Sequence, residues 1–317
     1  MQTPKIHVVL GAGQVGPLLA QELLSKGLKV RVVSRSAAGN AHERLEFMKG
    51  DLTDLAFTQE ACQGAEVVYN CANPAEYHQW DKLLPPLTRS IREAATRTKS
   101  KLVVLDNLYM VGRPETAPFN EDHPMKPCSK KGDLRKRLAE EYLAASARGD
   151  LQVTLGRASD FFGPGAAGMS FFGEYLGKAL AKRSAVAVFG NPDLPRSYSY
   201  VPDVVKGLAA LGTQEGAFGK VWHLPIAWNG TTRELIWKIG EAVGGKVPLR
   251  KIPDFMLGLL GLFVPQLGAI REMTYQWKAP FLVDDSRFRK AFGVEATPAD
   301  KAISATAQYL KRAYIER

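Results

Sequence analysis

The chain has 317 residues, 45% of them apolar, and carries a formal net charge of +10. Length and apolar share support a sizeable core in one large domain or two smaller ones, and no apolar run reaches the ~18 residues that a membrane span needs. Cys62, Cys71 and Cys128 show neither CxxC nor zinc spacing, and His7, His42, His78, His123 and His223 never pair at ligand spacing, so neither a disulfide framework nor a metal site is expected.

In chain order, the N-terminus enters a strand directly and lacks a long apolar leader, which places the expected protein in the cytoplasm. Ile6 to Leu10 is a short apolar run. A glycine loop follows, then apolar residues at helical spacing from Val15 to Lys26. Leu28 to Val33 reads as the next strand, and Glu46 to Met48 leads into Gly50-Asp51-Leu52-Thr53-Asp54, a strand end and a helix cap. Glu66 to Asn70 and Lys101 to Leu105 are further buried strands. Between them a helical segment covers roughly Glu76 to Thr98, interrupted near Pro85-Pro86. The densest basic stretch, Lys126 to Arg137, has no interleaved aromatics. A solvated helix face or attraction of phosphate near a cofactor suits it better than nucleic acid, which is not expected as a partner. Asp133 to Arg148 reads as a helix with Asp133 as its cap, and Val153 to Arg157 as a strand.

This alternation implies an α/β, Rossmann-type, doubly wound parallel sheet. A dinucleotide-binding domain is expected over 1–165, its sheet completed by about 201–224. Glycines, prolines and aromatics then break the chain into short pieces, which predicts a smaller C-terminal substrate lobe over 166–199 and 227–317. Phe161, Phe162, Phe171 and Phe172 cluster at the junction, as core or as an apolar pocket wall. Phe255 to Val264 is too short to span a membrane and reads as an amphipathic lid or core helix, so no integral membrane contact is expected.

The loop Gly11-Ala12-Gly13-Gln14-Val15-Gly16 has the right context on both sides, a strand before it and a helix after it. Gly11 permits the tight turn, Gly13 lets the backbone approach a pyrophosphate, and Gly16 allows close helix–strand packing. Gln14 and Val15 lie at the helix entrance. After the second strand an acidic residue would select NAD. This chain has Ser34-Arg35-Ser36, which favours NADP over NAD, a plain surface arginine being the alternative. Asp51 and Leu52 are placed to meet the adenine edge. Cys71, Ala72 and Asn73 should pass under the pyrophosphate and nicotinamide ribose.

With these motifs, the chain resembles an extended short-chain dehydrogenase/reductase of the NAD-dependent epimerase/dehydratase family. The resemblance also covers Lys136 with Ala139-Glu140-Glu141, Arg157 leading to Phe162-Gly163-Pro164-Gly165, and the stretch from Arg196 to Asp203. It implies a C-terminal substrate lobe, a small-molecule substrate and, in many members, a homodimer through two long helices. It also implies a catalytic Ser or Thr followed by Tyr-x-x-x-Lys, in which the tyrosine moves a proton and the lysine holds the ribose. Here the serine position falls on Asn107 and the tyrosine position on Gly132, while Lys136 is present.

Three readings stay open: Tyr109 supplies the proton, Asn107 polarises a carbonyl while water or substrate supplies it, or no redox chemistry occurs. Tyr109 also reads as a packed aromatic, and Asp106, Asp133 and His123 are weaker acid–base candidates. The resemblance carries Arg196 over as a ligand for a substrate diphosphate, an interlobe hydrogen bond or salt bridge being the other reading. Asp160 stands in the substrate-binding stretch where many members have asparagine. The function expected is an NADP(H)-binding oxidoreductase or epimerase-like enzyme acting on a small carbonyl or hydroxyl compound at an atypical active site. A catalytically silent NADP(H) sensor is the alternative.

Overall fold

Short β-branched runs separated by amphipathic segments have one economical solution, a sheet covered by helices. The structure, a computed structural model, describes residues 6–36, 39, 43–166, 170–245, 247–261 and 263–316. His42 and residues 167–169 of the expected second lobe lie outside the described residues. The elements run β1 (Ile6–Leu10), α1 (Gly16–Ser25), β2 (Lys29–Ser34), β3 (Leu45–Lys49), α2 (Leu55–Cys62), β4 (Ala65–Asn70), α3 (Trp80–Thr98), β5 (Lys101–Asp106), α4 (Lys130–Ala147) and β6 (Val153–Arg157). They continue with β7 (Asp160–Phe162), α5 (Leu176–Ala181), β8 (Val186–Phe189), β9 (Pro195–Tyr200), α6 (Val201–Thr213), β10 (Val221–His223), β11 (Trp228–Thr231) and α7 (Thr232–Val243). The last are β12 (Leu249–Ile252), α8 (Asp254–Gly261), α9 (Pro265–Arg271), α10 (Ser286–Phe292) and α11 (Ala299–Leu310).

The chain divides into two compact units. The first holds Met1–Asn107, Leu134–Arg157 and Val205–Trp222; the second holds Leu108–Asp133, Ala158–Val204 and His223–Arg317. The seven-stranded sheet has the order β10-β6-β5-β4-β1-β2-β3. Within it β1 pairs in parallel with both β2 and β4, so the strand order reverses beside β1. This is the expected doubly wound α/β fold. Such a reversal opens a crevice at the carboxyl ends of the strands, where ligands of these sheets bind. Leu10 stands opposite Val33 on one side and Asn70 on the other, so the turns after β1, β2 and β4 emerge together. The sheet core is dry: Val8, Val9, Leu10, Val30, Val67, Val68, Leu102 and Val103 are buried.

Two expectations change. The helix α3 runs through Pro85 and Pro86 without a break. Its apolar face, with Trp80, Leu84, Leu87 and Ile91 buried, holds it together where the prolines remove amide donors. The helix α4 starts at Lys130, before Asp133, because Ser129 Oγ accepts the Gly132 amide at 3.0 Å.

In the second unit, β9 pairs antiparallel with β11 and parallel with β7, and β12 pairs in parallel with β8. Its core gathers Phe162, Phe172, Tyr198, Tyr200, Leu235, Ile236, Ile239 and Leu310, so Phe162 and Phe172 are packing residues. Within the stretch Phe255 to Val264, residues 255–261 belong to α8 and residue 262 lies outside the described residues; Phe255, Leu259 and Phe263 are exposed. Among the described residues, no helix is long and apolar enough to cross a membrane, and no cluster of His, Cys, Asp or Glu could hold a metal ion.

Candidate functional site

The first unit carries a glycine loop whose geometry suits a nucleotide. Gly11 sits at φ +99°, where a Cβ would meet the Ala72 backbone at 2.8 Å. A Cβ on Gly16 would lie 1.9 Å from the Gly11 carbonyl oxygen, so the helix start rests directly on the turn. Nothing lies within 4 Å of the position a Gly13 Cβ would take, which leaves open space over the middle of the loop. Two tight glycines and one open one suit a pyrophosphate over the loop, against the first amides of α1. Val15 is buried at the N-cap of α1, and Gln14 is half-buried beside it.

The flanking turns are tied to this loop. The Gly11 amide donates to the Val33 carbonyl (2.8 Å) and the Cys71 amide to the Leu10 carbonyl (2.9 Å). Asn70 Oδ1 accepts from the Ala72 amide (3.1 Å), and Asn70 Nδ2 donates to the Tyr142 hydroxyl (3.4 Å). Asn70 and Tyr142 thus shape the turn that the sequence assigns only to Cys71, Ala72 and Asn73. Burial pushes the Cys71 thiol up to about 12, so it brings no negative charge toward a pyrophosphate. Asn73 Oδ1 accepts from Arg135 (2.7 Å), whose guanidinium stacks 4.6 Å over the Trp80 ring.

Asp106, a candidate acid, is buried between Arg157 (3.3 Å) and Arg135 (3.7 Å), in a structural ion-pair cluster that spacing alone could not have revealed. Lys136 is half-buried with its Nζ 3.9 Å from Glu140, and Asn107 is half-buried after β5. Ser34 Oγ accepts the Ser36 amide (3.3 Å). Leu52 is buried, and its carbonyl accepts from Thr58 (3.0 Å). Asp51 Oδ1 accepts both the amide and the hydroxyl of Thr53, each at 2.9 Å. Those two hydrogen bonds, with a smaller attraction from Arg35, hold the Asp51 carboxyl below the usual carboxylate range.

The second unit holds the remaining candidates. Tyr109 is half-buried in a short 3₁₀ turn, Tyr109–Val111. Its carbonyl oxygen lies over Gly132, where a Cβ would come within 2.6 Å of it and within 3.0 Å of Ser129 Oγ. The Tyr275 hydroxyl donates to the same Tyr109 carbonyl (3.2 Å), and Gln276 Nε2 donates to the Tyr275 hydroxyl (3.4 Å). Sequence reasoning missed Tyr275 and Gln276, which sit 143 residues or more beyond Gly132 and carry no spacing signal. His123 is committed to its own loop, accepting the Glu115 amide (3.1 Å) and facing the Pro124 carbonyl (3.0 Å). Arg196, on β9, is 2% exposed, with Asp160 and Gln276 as hydrogen-bond partners.

A glycine loop at the reversal point of a parallel sheet, with the Asp51 carboxylate after the third strand, defines a Rossmann-like α/β protein. Residues 7–224 match the family model for the NAD dependent epimerase/dehydratase family, and the chain belongs to that family. The chain is similar to UDP-glucuronic acid decarboxylase 1 of Danio rerio, at 25% identity over 65% of this chain and 53% of that protein. It spans only 53% to 65% of the length of the first curated relatives it matches. In fold it is similar to the Bordetella bronchiseptica enzyme WbmH in complex with NAD+ (TM-score 0.76, 20% identity, 98% of this chain and 99% of that one). It is also similar to UDP-glucuronic acid 4-epimerase from Bacillus cereus in complex with UDP-glucuronic acid and NAD (TM-score 0.80, 18% identity, 98% and 100%).

These comparisons overturn the expected preference for NADP. The family is the NAD dependent one, and both neighbouring structures are complexes with NAD+ or NAD. The physical reason lies at Asp51, whose carboxylate stands within electrostatic reach of Arg35. A 2′-phosphate drawn to Arg35 would meet that negative charge as well.

Proposed function

We propose that this chain is an NAD-dependent oxidoreductase or epimerase-like enzyme that acts on a small hydroxyl or carbonyl compound with an atypical proton-transfer group. The second unit is taken as its substrate-binding part. Bound NAD would supply hydride transfer, and the residues of this chain do the rest. The glycine loop and α1 hold the pyrophosphate, Asp51 and Leu52 the adenosine edge, and Lys136 the nicotinamide ribose. Tyr109 moves a proton at the substrate oxygen, and Asn107 polarises that oxygen.

The observation that carries this reading is the Tyr109 carbonyl at 2.6 Å from a Cβ on Gly132. The helix position where the family resemblance calls for a tyrosine is covered by the backbone of another tyrosine. The Tyr109 backbone is therefore anchored beside that position, on a different segment, which supports Tyr109 as the proton-transfer group. One observation favours a second reading, a silent dinucleotide sensor: Gly132 has no room for a side chain of its own.

A panel of hydroxy and carbonyl compounds, followed at the NADH absorbance with NAD affinity measured in parallel, tests the proposal. Turnover on any member supports the enzyme. Tight NAD binding with no turnover anywhere selects the sensor. Lys136→Ala should weaken NAD binding tenfold or more even without substrate, since a hydrogen bond from a charged donor contributes roughly 1.5–3 kcal/mol.

A further inference from the structure

A phosphate-bearing substrate needs cations with free N–H donors, and a desolvated one is gripped best by arginine. Among the described residues of the second unit, the buried lysine and arginine side chains are Lys131 and Arg196. Both are already neutralised. Lys131 Nζ lies 2.5 Å from Glu272, and Arg196 lies 2.5 Å from Asp160 Oδ2.

Arg196 is committed on nearly every edge. One terminal nitrogen donates to the Gln276 carbonyl (2.8 Å), and the other donates to Gln276 Oε1 (2.7 Å) as well as to Asp160. The guanidinium plane lies 4.1 Å over the Trp277 ring and 5.2 Å from that of Phe281. Its Nε has no hydrogen-bond partner, but that atom is sealed from solvent. Asp160, in contrast, keeps 34% of its side chain exposed. What the pair offers a ligand is a carboxylate edge, and the cation stands behind it. A diphosphate approaching this edge meets like charge; a hydroxyl meets an acceptor.

We infer that the Asp160–Arg196 pair sets the substrate class of this protein: a hydroxyl- or carbonyl-bearing compound without a phosphate group, one hydroxyl of which donates to Asp160. The inference rests on the proposed role of the second unit as the substrate-binding part. It replaces the expectation, carried by family resemblance, that Arg196 grips a substrate diphosphate. It also separates this chain from relatives whose names specify nucleotide sugars.

Calorimetric titration of the full chain, saturated with NAD, uses UDP, UDP-glucose and UDP-glucuronic acid as probes. The wild type should bind none of them at millimolar concentration. Asp160→Asn keeps an oxygen acceptor for Arg196 and removes the charge in front of it. Asp160→Ser repeats the charge removal with less bulk, in case the amide variant does not fold. A folded variant should gain at least tenfold in UDP affinity. Micromolar binding of a UDP-sugar by the wild type, lost tenfold or more in Arg196→Met, overturns the inference. So does a folded Asp160 variant that ignores UDP as the wild type does. Failure of the proposed activity reads differently: no NAD binding, or no turnover on the panel, leaves the UDP titrations to decide the substrate class alone.

Discussion

Tyr109 and His7 show how far one side chain can be read from its surroundings. If Tyr109 moves the proton, Tyr109→Phe removes the hydroxyl and leaves the ring. Turnover should fall about 10²–10⁴-fold, while NAD affinity and thermal stability persist; full activity would pass the role to Asn107. His7 is buried on β1, its ring stacked against Tyr69 with Nδ1 3.0 Å from the tyrosine hydroxyl. Desolvation holds its pKa below 6.5, opposed by Glu66 and assisted by Lys101. The unfolded chain then binds a proton at higher pH than the folded one. The stabilisation is complete above the ordinary histidine pKa and is lost as pH falls from there through the depressed folded value. Melting temperatures taken between pH 7 and pH 5 should drop more steeply for the wild type than for His7→Gln, which has no titrating ring. Identical slopes would show that His7 is not the group responsible.

At the scale of elements, the glycine loop is the joint between β1 and α1. Gly11→Ala places a Cβ 2.8 Å from the Ala72 backbone at a φ of +99°, so the loop must shift and NAD binding should be lost in a titration even where the far-UV spectrum is retained. The helix α2 is capped by Asp54, whose Oδ1 accepts from the amides of Ala56 (2.9 Å) and Phe57 (3.4 Å). Asp54→Ala should cost about 0.5–2 kcal/mol in urea denaturation. These elements were legible in the sequence because strand, turn and cap signals are local. Val153–Arg157 emerges with the bounds that its apolar run suggests, and the glycine spacing locates the loop. The misreadings share a physical cause. The break expected at Pro85 and Pro86 is prevented by burial of one helix face, and the NADP preference read from Ser34 and Arg35 did not weigh the Asp51 charge against Arg35, although Asp51 itself was placed at the adenine edge. Tyr275, Gln276 and the Asp106 ion pairs come from long-range packing, so no spacing announces them.

At the scale of the whole molecule, a ligand that binds only the folded state stabilises it by mass action. NAD at a hundredfold its Kd should add about 2.7 kcal/mol, with amide-exchange protection concentrated in β1, the glycine loop, α1 and the turn after β4. Uniform protection, or none, would place the cradle elsewhere. The packing at Gly132 reaches further still. Even Gly132→Ala should destabilise the chain by roughly 1–3 kcal/mol, measured by denaturant titration, because the obstacle at 2.6 Å is backbone. A tyrosine there is excluded until the segment around Tyr109 has first moved. In the space of sequences, a tyrosine at position 132 is therefore not a single step away from this chain. Any path to it must rebuild the Tyr109 segment before it can change the helix, so saturation mutagenesis at position 132 alone should yield no stably folded Gly132→Tyr variant.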